Sequence, residues 1–168
     1  MHSTSYNLMT LFARKYLDEA QRLKIIDIGS YDVDGSYRPI FSKPNWEYKG
    51  LDMVAGPNVD IVAPSYPWPL PDNSFDAVVS GQTMEHVEAP WLWVKELERI
   101  CKPGGLIVVI SPWQWFIHRY PVDCWRILPD GMTYLLSKWC RCELLAVGTV
   151  NFDATRGDCY GIARKIGA

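Results

Sequence analysis

A chain of 168 residues with 48% hydrophobic and 21% charged content is long enough for one domain with a sizeable core. A formal charge of −2 gives no general electrostatic reason to bind nucleic acid or an anionic membrane, and no apolar run approaches the roughly 20 residues that span a bilayer. The start lacks a signal-peptide pattern, and five irregularly spaced cysteines (Cys101, Cys124, Cys140, Cys142, Cys159) offer no second pair at metal-ligand spacing, so reduced thiols, no metal and a cytoplasmic protein are expected.

Residues 5–22 place Tyr6, Leu8, Met9, Leu11, Phe12, Tyr16 and Leu17 at spacings near three and four, which predicts an amphipathic helix. The run from Ile25 to Ile28 is apolar without alternation, as suits a parallel strand covered on both faces. Residues 37–41 read as a short helix, 47–53 as a second strand ending near an acid, and 59–63 as a third. Four prolines within 64–73 demand a loop. Residues 74–80 form the fourth strand. Pro90 opens a helix over 91–102 that Pro103-Gly-Gly105 should stop, and 106–110 is the fifth strand. Residues 111–127 mix aromatic and charged side chains without a period. Pro129 opens a helix through Trp139, and 142–150 and 159–166 are two final strands around a polar loop, 153–158. Strands alternating with helices, then two strands in succession, predict a mainly parallel α/β sheet with one antiparallel strand and helices on both faces.

The chain is organised around residues 24–37. A buried strand breaks at Gly29, enters a loop of Asp, Ser and Gly, and leaves it at Gly35 before a helical segment. Open α/β sheets hold nucleotide-like ligands at such a loop, although a strand followed by a surface turn reads the same in isolation. Four further segments decide between them: Gly50-Leu-Asp52, Leu70-Pro-Asp-Asn-Ser-Phe-Asp76, Glu85-His-Val87, and Leu97-Glu-Arg-Ile-Cys-Lys-Pro-Gly-Gly-Leu106. With Ile25-Ile-Asp-Ile-Gly29 before them, they resemble the class I S-adenosylmethionine-dependent methyltransferases of the small type, over residues 24–166. The resemblance implies one domain across 1–168, with 1–22 as an N-terminal helix and 24–166 as a catalytic core. Its fold would be Rossmann-like and doubly wound, with a seven-stranded sheet, and its cofactor S-adenosylmethionine.

On that resemblance, Gly29 lets the backbone approach the cofactor, and N–H groups from Ser30 to Gly35 meet its methionine part. Asp27 orders this loop or contacts the ammonium through water. Asp52 presents an acceptor-only carboxylate to both ribose hydroxyls, and Met53 lies on the adenine face. Gly81 and Gln82 close on the methionine end. Two departures stand out. The usual Gly-x-Gly-x-Gly loop is replaced by Gly29, then Ser30-Tyr-Asp-Val-Asp34 and Gly35, which invites side-chain contacts from Tyr31 or Asp34 and argues against a nicotinamide enzyme. Where relatives carry an acid for the adenine amino group, this chain has Pro64 and Ser65.

Methyl transfer from a sulfonium is a displacement whose reagent is already activated, so no triad is required. The acceptor should sit beyond strands four and five, near 81–88 and 111–126. His86 and His118 are the candidates for acting on an acceptor proton, against loop-ordering roles for Glu85-His86 and for ion pairs of His118, Arg119, Asp123 and Arg126. Trp113, Trp115, Phe116 and Trp125 either wall the acceptor, cover the sheet edge or form a homodimer contact. A small-molecule acceptor is the leading expectation. A nucleic-acid methyltransferase is disfavoured, because Ser80-Gly-Gln-Thr83 replaces the Asn/Asp-Pro-Pro-aromatic motif; a non-catalytic cofactor-binding partner protein is the remaining alternative.

Overall fold

The computed structural model describes residues 2–167. Seven strands form one sheet in the order β3-β2-β1-β4-β5-β7-β6. They are β1 (Leu23–Ile28), β2 (Trp46–Asp52), β3 (Ile61–Val62), β4 (Phe75–Gly81), β5 (Cys101–Gln114), β6 (Cys142–Asn151) and β7 (Gly157–Lys165). All neighbours pair in parallel except β7, which runs antiparallel to both β5 and β6. This is the mainly parallel sheet with one antiparallel strand that the strand pattern predicts, in the Rossmann-like, doubly wound form that the resemblance implies.

The unalternated strands are explained by cover on both faces. In β1, Ile25 packs on one side and Ile26 and Ile28 on the other; in β5, Leu106, Val108 and Ile110 oppose Ile107 and Val109. One face is closed by α1 (Ser3–Tyr16) through Met9, Phe12 and Ala13, and by α2 (Arg38–Phe41) through Ile40 and Phe41. The other is closed by α3 (Pro90–Ile100) through Trp93, Val94, Leu97 and Ile100. Beside α3 lie α4 (Pro129–Thr133) and a widened π-turn segment, Tyr134–Trp139, which bring Met132, Leu135 and Leu136.

The larger boundary differences from the sequence expectations each have a physical reason. α1 ends at Tyr16 rather than 22, because the Asp18 carboxylate takes the Ala20 N–H at 2.9 Å and offers the backbone a turn instead. α3 ends at Ile100, since Lys165 Nζ donates to the carbonyls of Glu98 and Cys101 at 2.7 and 2.9 Å and satisfies the helix end. Pro103-Gly-Gly105 therefore lies within β5, looped out where the register jumps from Cys101 opposite Phe75 to Leu106 opposite Ala77. β5 runs on to Gln114, through residues expected to be irregular, because β7 supplies partners from Ser111 to Gln114. β3 is only two residues long, as the turn with the Val59 N–H on the Gly56 carbonyl consumes its start. Among the described residues no helix is long and apolar enough to cross a membrane. All five cysteines are unpaired.

Candidate functional site

β1 ends at Ile28, whose carbonyl accepts the Ser80 hydroxyl at 2.6 Å and the Thr83 hydroxyl at 3.3 Å. The chain then turns at Gly29 with φ of 77°, a left-handed conformation that glycine adopts without strain. The N–H groups of Gly29 and Ser30 both donate to the Leu51 carbonyl, at 2.8 and 3.1 Å, which locks the turn to the end of β2. A Cβ at Gly29 would collide with the Thr83 side chain. The bare Cα is thus required for packing against the turn after β4, where the sequence implied room for a ligand.

The loop beyond is more self-occupied than its composition implies. Tyr31 N–H donates to Asp52 Oδ2 at 3.0 Å, Asp32 N–H to the Pro57 carbonyl at 3.1 Å, and Gly35 N–H to Asp32 Oδ1 at 2.6 Å. Among the described residues, the N–H groups of Val33 and Asp34 donate to no protein acceptor. Asn58, in the Gly56-Pro57-Asn58 segment that follows β2, orders the same loop. Held left-handed at φ 67°, it donates Nδ2 to the Ser30 carbonyl at 2.8 Å and accepts the Ser30 hydroxyl and Arg38 Nε at 3.1 and 2.5 Å.

Asp52 is the last residue of β2. One carboxylate oxygen accepts the Tyr31 N–H and the other the Val54 N–H at 3.4 Å, leaving acceptor capacity for a diol. Met53 and Val54 follow it, each about half exposed. The Ala63 N–H donates to the Asp52 carbonyl at 2.8 Å, so Pro64 and Ser65 emerge beside the acid, both exposed. The Tyr31 ring reaches over to Gly56, where a Cβ would displace it. Asp34 is exposed at the loop tip. The structure therefore gathers Gly29, Ser30, Tyr31, Gly35, Asp52, Met53, Pro64 and Ser65 around the carboxyl ends of β1, β2 and β3.

Asp27 is buried beneath them, 2% exposed, and accepts the Tyr48 hydroxyl at 2.6 Å. Burial pushes its carboxyl up to about 7, with the Tyr48 hydrogen bond opposing and Asp52 adding to the rise. In the unfolded chain the same group ionises near 3.8. Between these values the unfolded chain has lost a proton that the folded chain retains, so stability falls as pH rises through the window. Asp27→Asn should flatten that fall. Melting curves from pH 4 to 8 check this, and a variant curve parallel to wild type would contradict it.

In the turn after β4, Thr83 packs on Gly29 while Gly81 and Gln82 make their contacts elsewhere. Gly81 abuts the Tyr37 hydroxyl, which occupies the place of a Cβ. Gln82, at φ 60°, donates its N–H to the Ile110 carbonyl at 2.8 Å. Its side chain meets His2 Nε2 and Asp158 Oδ1, both at 3.0 Å, instead of any residue of the 29–35 loop. Gly81 and Gln82 are thus tied to the residues that precede α1 and α2 and to β7.

One helical turn on, Glu85 is fully buried. Its Oε2 accepts the Ser111 hydroxyl at 2.9 Å, while Oε1 has no partner. Burial raises this carboxyl to about 7. His86 Nδ1 lies 2.6 Å from the Val122 carbonyl, so that nitrogen carries the proton and donates; Nε2 stands 3.8 Å from Glu85 Oε1. Burial lowers the His86 pKa. The His118 ring lies edge-on to His86 with centroids 5.0 Å apart. Arg126 grips Asp123 with two nitrogens at 2.6 and 2.7 Å and holds that carboxyl down at about 2. Asp123 in turn accepts the His118 N–H at 2.7 Å, and Arg126 donates to the Phe116 carbonyl at 2.9 Å. The Asp123–Arg126 pair therefore organises the 116–126 segment. Beside it, an apolar cavity of about 400 Å³ lies between Met84, Trp91, Trp125, Tyr134 and Trp139.

Comparison with known proteins gives this geometry a lineage. Residues 41–109 match the methyltransferase-domain family. A Mycobacterium sp. methyltransferase of uncharacterised role is 30% identical over 95 residues, 51% of this chain and 37% of that protein. The Synechocystis 2-methyl-6-phytyl-1,4-hydroquinone methyltransferase is 36% identical over 70 residues, 42% of this chain and 21% of that protein. The matched part thus spans well under half the length of these curated relatives. Among solved structures, the Burkholderia thailandensis 1,6-didemethyltoxoflavin-N1-methyltransferase superposes with a TM-score of 0.75 at 13% identity, over 97% of this chain and 79% of that one. That likeness shows the fold. The matched segment and the strand order agree: the chain resembles the class I S-adenosylmethionine-dependent methyltransferases.

Proposed function

We propose that the protein binds S-adenosylmethionine across the carboxyl ends of β1, β2 and β3 and transfers its methyl group to a small-molecule acceptor in the cytoplasm. The observation that carries the reading is Asp52, a carboxylate with spare acceptor capacity at the tip of β2, tied by the Tyr31 N–H to the loop that follows Gly29. The residues fit the cofactor's parts. Asp52 takes the ribose hydroxyls, the exposed Met53 and Val54 flank adenine, and the Val33 and Asp34 N–H groups meet the methionine carboxylate. Asp27 keeps the loop ordered from below through Tyr48.

Bound there, the cofactor supplies a methyl group already activated on a sulfonium. The protein's own work is positioning and water exclusion. The His86 and His118 rings and the Trp-lined cavity lie at the carboxyl side of β4 and β5, the position for an acceptor in open α/β sheets. The mostly apolar cavity favours an acceptor with an aromatic or aliphatic part. Incubating the protein with methyl-labelled cofactor, and in parallel with metabolite and RNA fractions, tests this. Label should pass to the metabolite fraction; label in RNA alone, or in neither fraction, would contradict the acceptor assignment.

A further inference from the structure

Glu85, His86 and His118 meet in a way that acceptor positioning does not require. Each offers one ligating atom, and the three atoms lie within 4.8 Å of one another. In each residue the other polar atom is already held. Glu85 Oε2 accepts the Ser111 hydroxyl at 2.9 Å, leaving the buried Oε1 without any partner. His86 Nδ1 donates to the Val122 carbonyl at 2.6 Å, which leaves Nε2 as a lone-pair donor 3.8 Å from that orphaned oxygen. His118 Nδ1 lies 3.2 Å from the Phe116 carbonyl and 3.5 Å from Asp123 Oδ2, so its Nε2 is the free nitrogen.

A histidine that donates one ring N–H to a carbonyl or carboxylate, and turns the other nitrogen outward, is oriented as metal-binding histidines are. A buried carboxylate oxygen with no hydrogen bond is costly unless something else fills its coordination. Arg126, a cation that acts on Glu85, is engaged by both oxygens of Asp123 and makes no hydrogen bond to Oε1.

We infer that Glu85, His86 and His118 form a binding site for a divalent transition-metal ion. Two imidazoles and one carboxylate suit zinc or iron better than magnesium or calcium, which prefer oxygen ligands alone. Three protein ligands also leave at least one position open for water or an acceptor oxygen. Ligand atoms around a tetrahedral ion at about 2.1 Å are about 3.4 Å apart, so the cluster needs to contract by a little over 1 Å at most. The partly exposed His118 is the ligand with room to move. The cysteines play no part: Cys140 and Cys142 are buried on another element, and Cys124 is not among the clustered groups.

The test is calorimetric titration of chelator-stripped protein with Zn²⁺ alone. Wild type should bind one equivalent, His118→Ala should bind more than about tenfold more weakly, and Cys124→Ser should bind as wild type. Glu85→Gln, which keeps an acceptor for Ser111, should show the same loss as His118→Ala; His118→Ala decides the matter if the buried substitution prevents folding. No binding by wild type would overturn the site. So would affinity unchanged in His118→Ala, or affinity lost in Cys124→Ser. Every readout is independent of methyl transfer.

Discussion

Replacing Asp52 with alanine should weaken S-adenosylmethionine binding about 10- to 100-fold. A hydrogen bond to a charged group contributes about 1.5–3 kcal/mol, and each 1.4 kcal/mol is a factor of ten in affinity. The substitution removes the acceptor for both ribose hydroxyls and releases the Tyr31 N–H, which now sets the loop relative to β2. Asp52 lies at a strand end outside both apolar clusters, so the melting temperature without ligand should change little. Calorimetric binding beside a melting curve separates the two effects. Asp52→Asn should fall between, since one carbonyl oxygen still accepts. Unchanged affinity in Asp52→Ala would remove the ribose assignment.

The second large effect is expected at Gly29. Alanine there must hold φ near 77°, and its Cβ meets Thr83. The left-handed backbone costs about 1–2 kcal/mol and the overpacking a further 1–3 kcal/mol or so, which makes Gly29→Ala destabilising by about 2–5 kcal/mol in denaturant unfolding. Adding Thr83→Ala removes the two nearest clashing atoms, Oγ1 and Cγ2, but keeps the Cβ, so it should recover most of the steric part and leave the backbone part. The two substitutions would then be coupled, as residues in contact usually are. Strictly additive losses would show that Thr83 does not press on the turn.

What the sequence disclosed was local. Continuous apolar runs such as Ile25–Ile28 and Leu106–Ile110 mark strands covered on both faces, and that property needs no knowledge of partners. Asp52 was singled out through the Gly50-Leu-Asp52 segment of the resemblance, at the end of a strand the sequence also marks. The misread features depend on residues far away in the chain. Lys165 closes α3 at Ile100, and β7 extends β5 to Gln114, neither visible near the boundary itself. Asn58 orders the Gly29 loop from 28 residues downstream of Ser30, and Gln82 turns to His2 and Asp158. His86 and His118 were singled out separately. That they converge, with an unpartnered oxygen of Glu85 between Ser111 and His86, emerges only when the segment after β5 folds back over the turn after β4.

S-adenosylmethionine should bind at the carboxyl ends of β1, β2 and β3. Thermal melting of the wild-type chain with and without the cofactor tests it most directly. At a hundredfold excess over the dissociation constant, one-site binding stabilises by about 2.7 kcal/mol, which for a chain of this size raises the melting temperature by roughly 5–10 °C. Asp52→Ala at the same concentration should show a much smaller rise. A wild-type melting temperature unmoved by saturating S-adenosylmethionine would mean that these strand ends do not hold the cofactor.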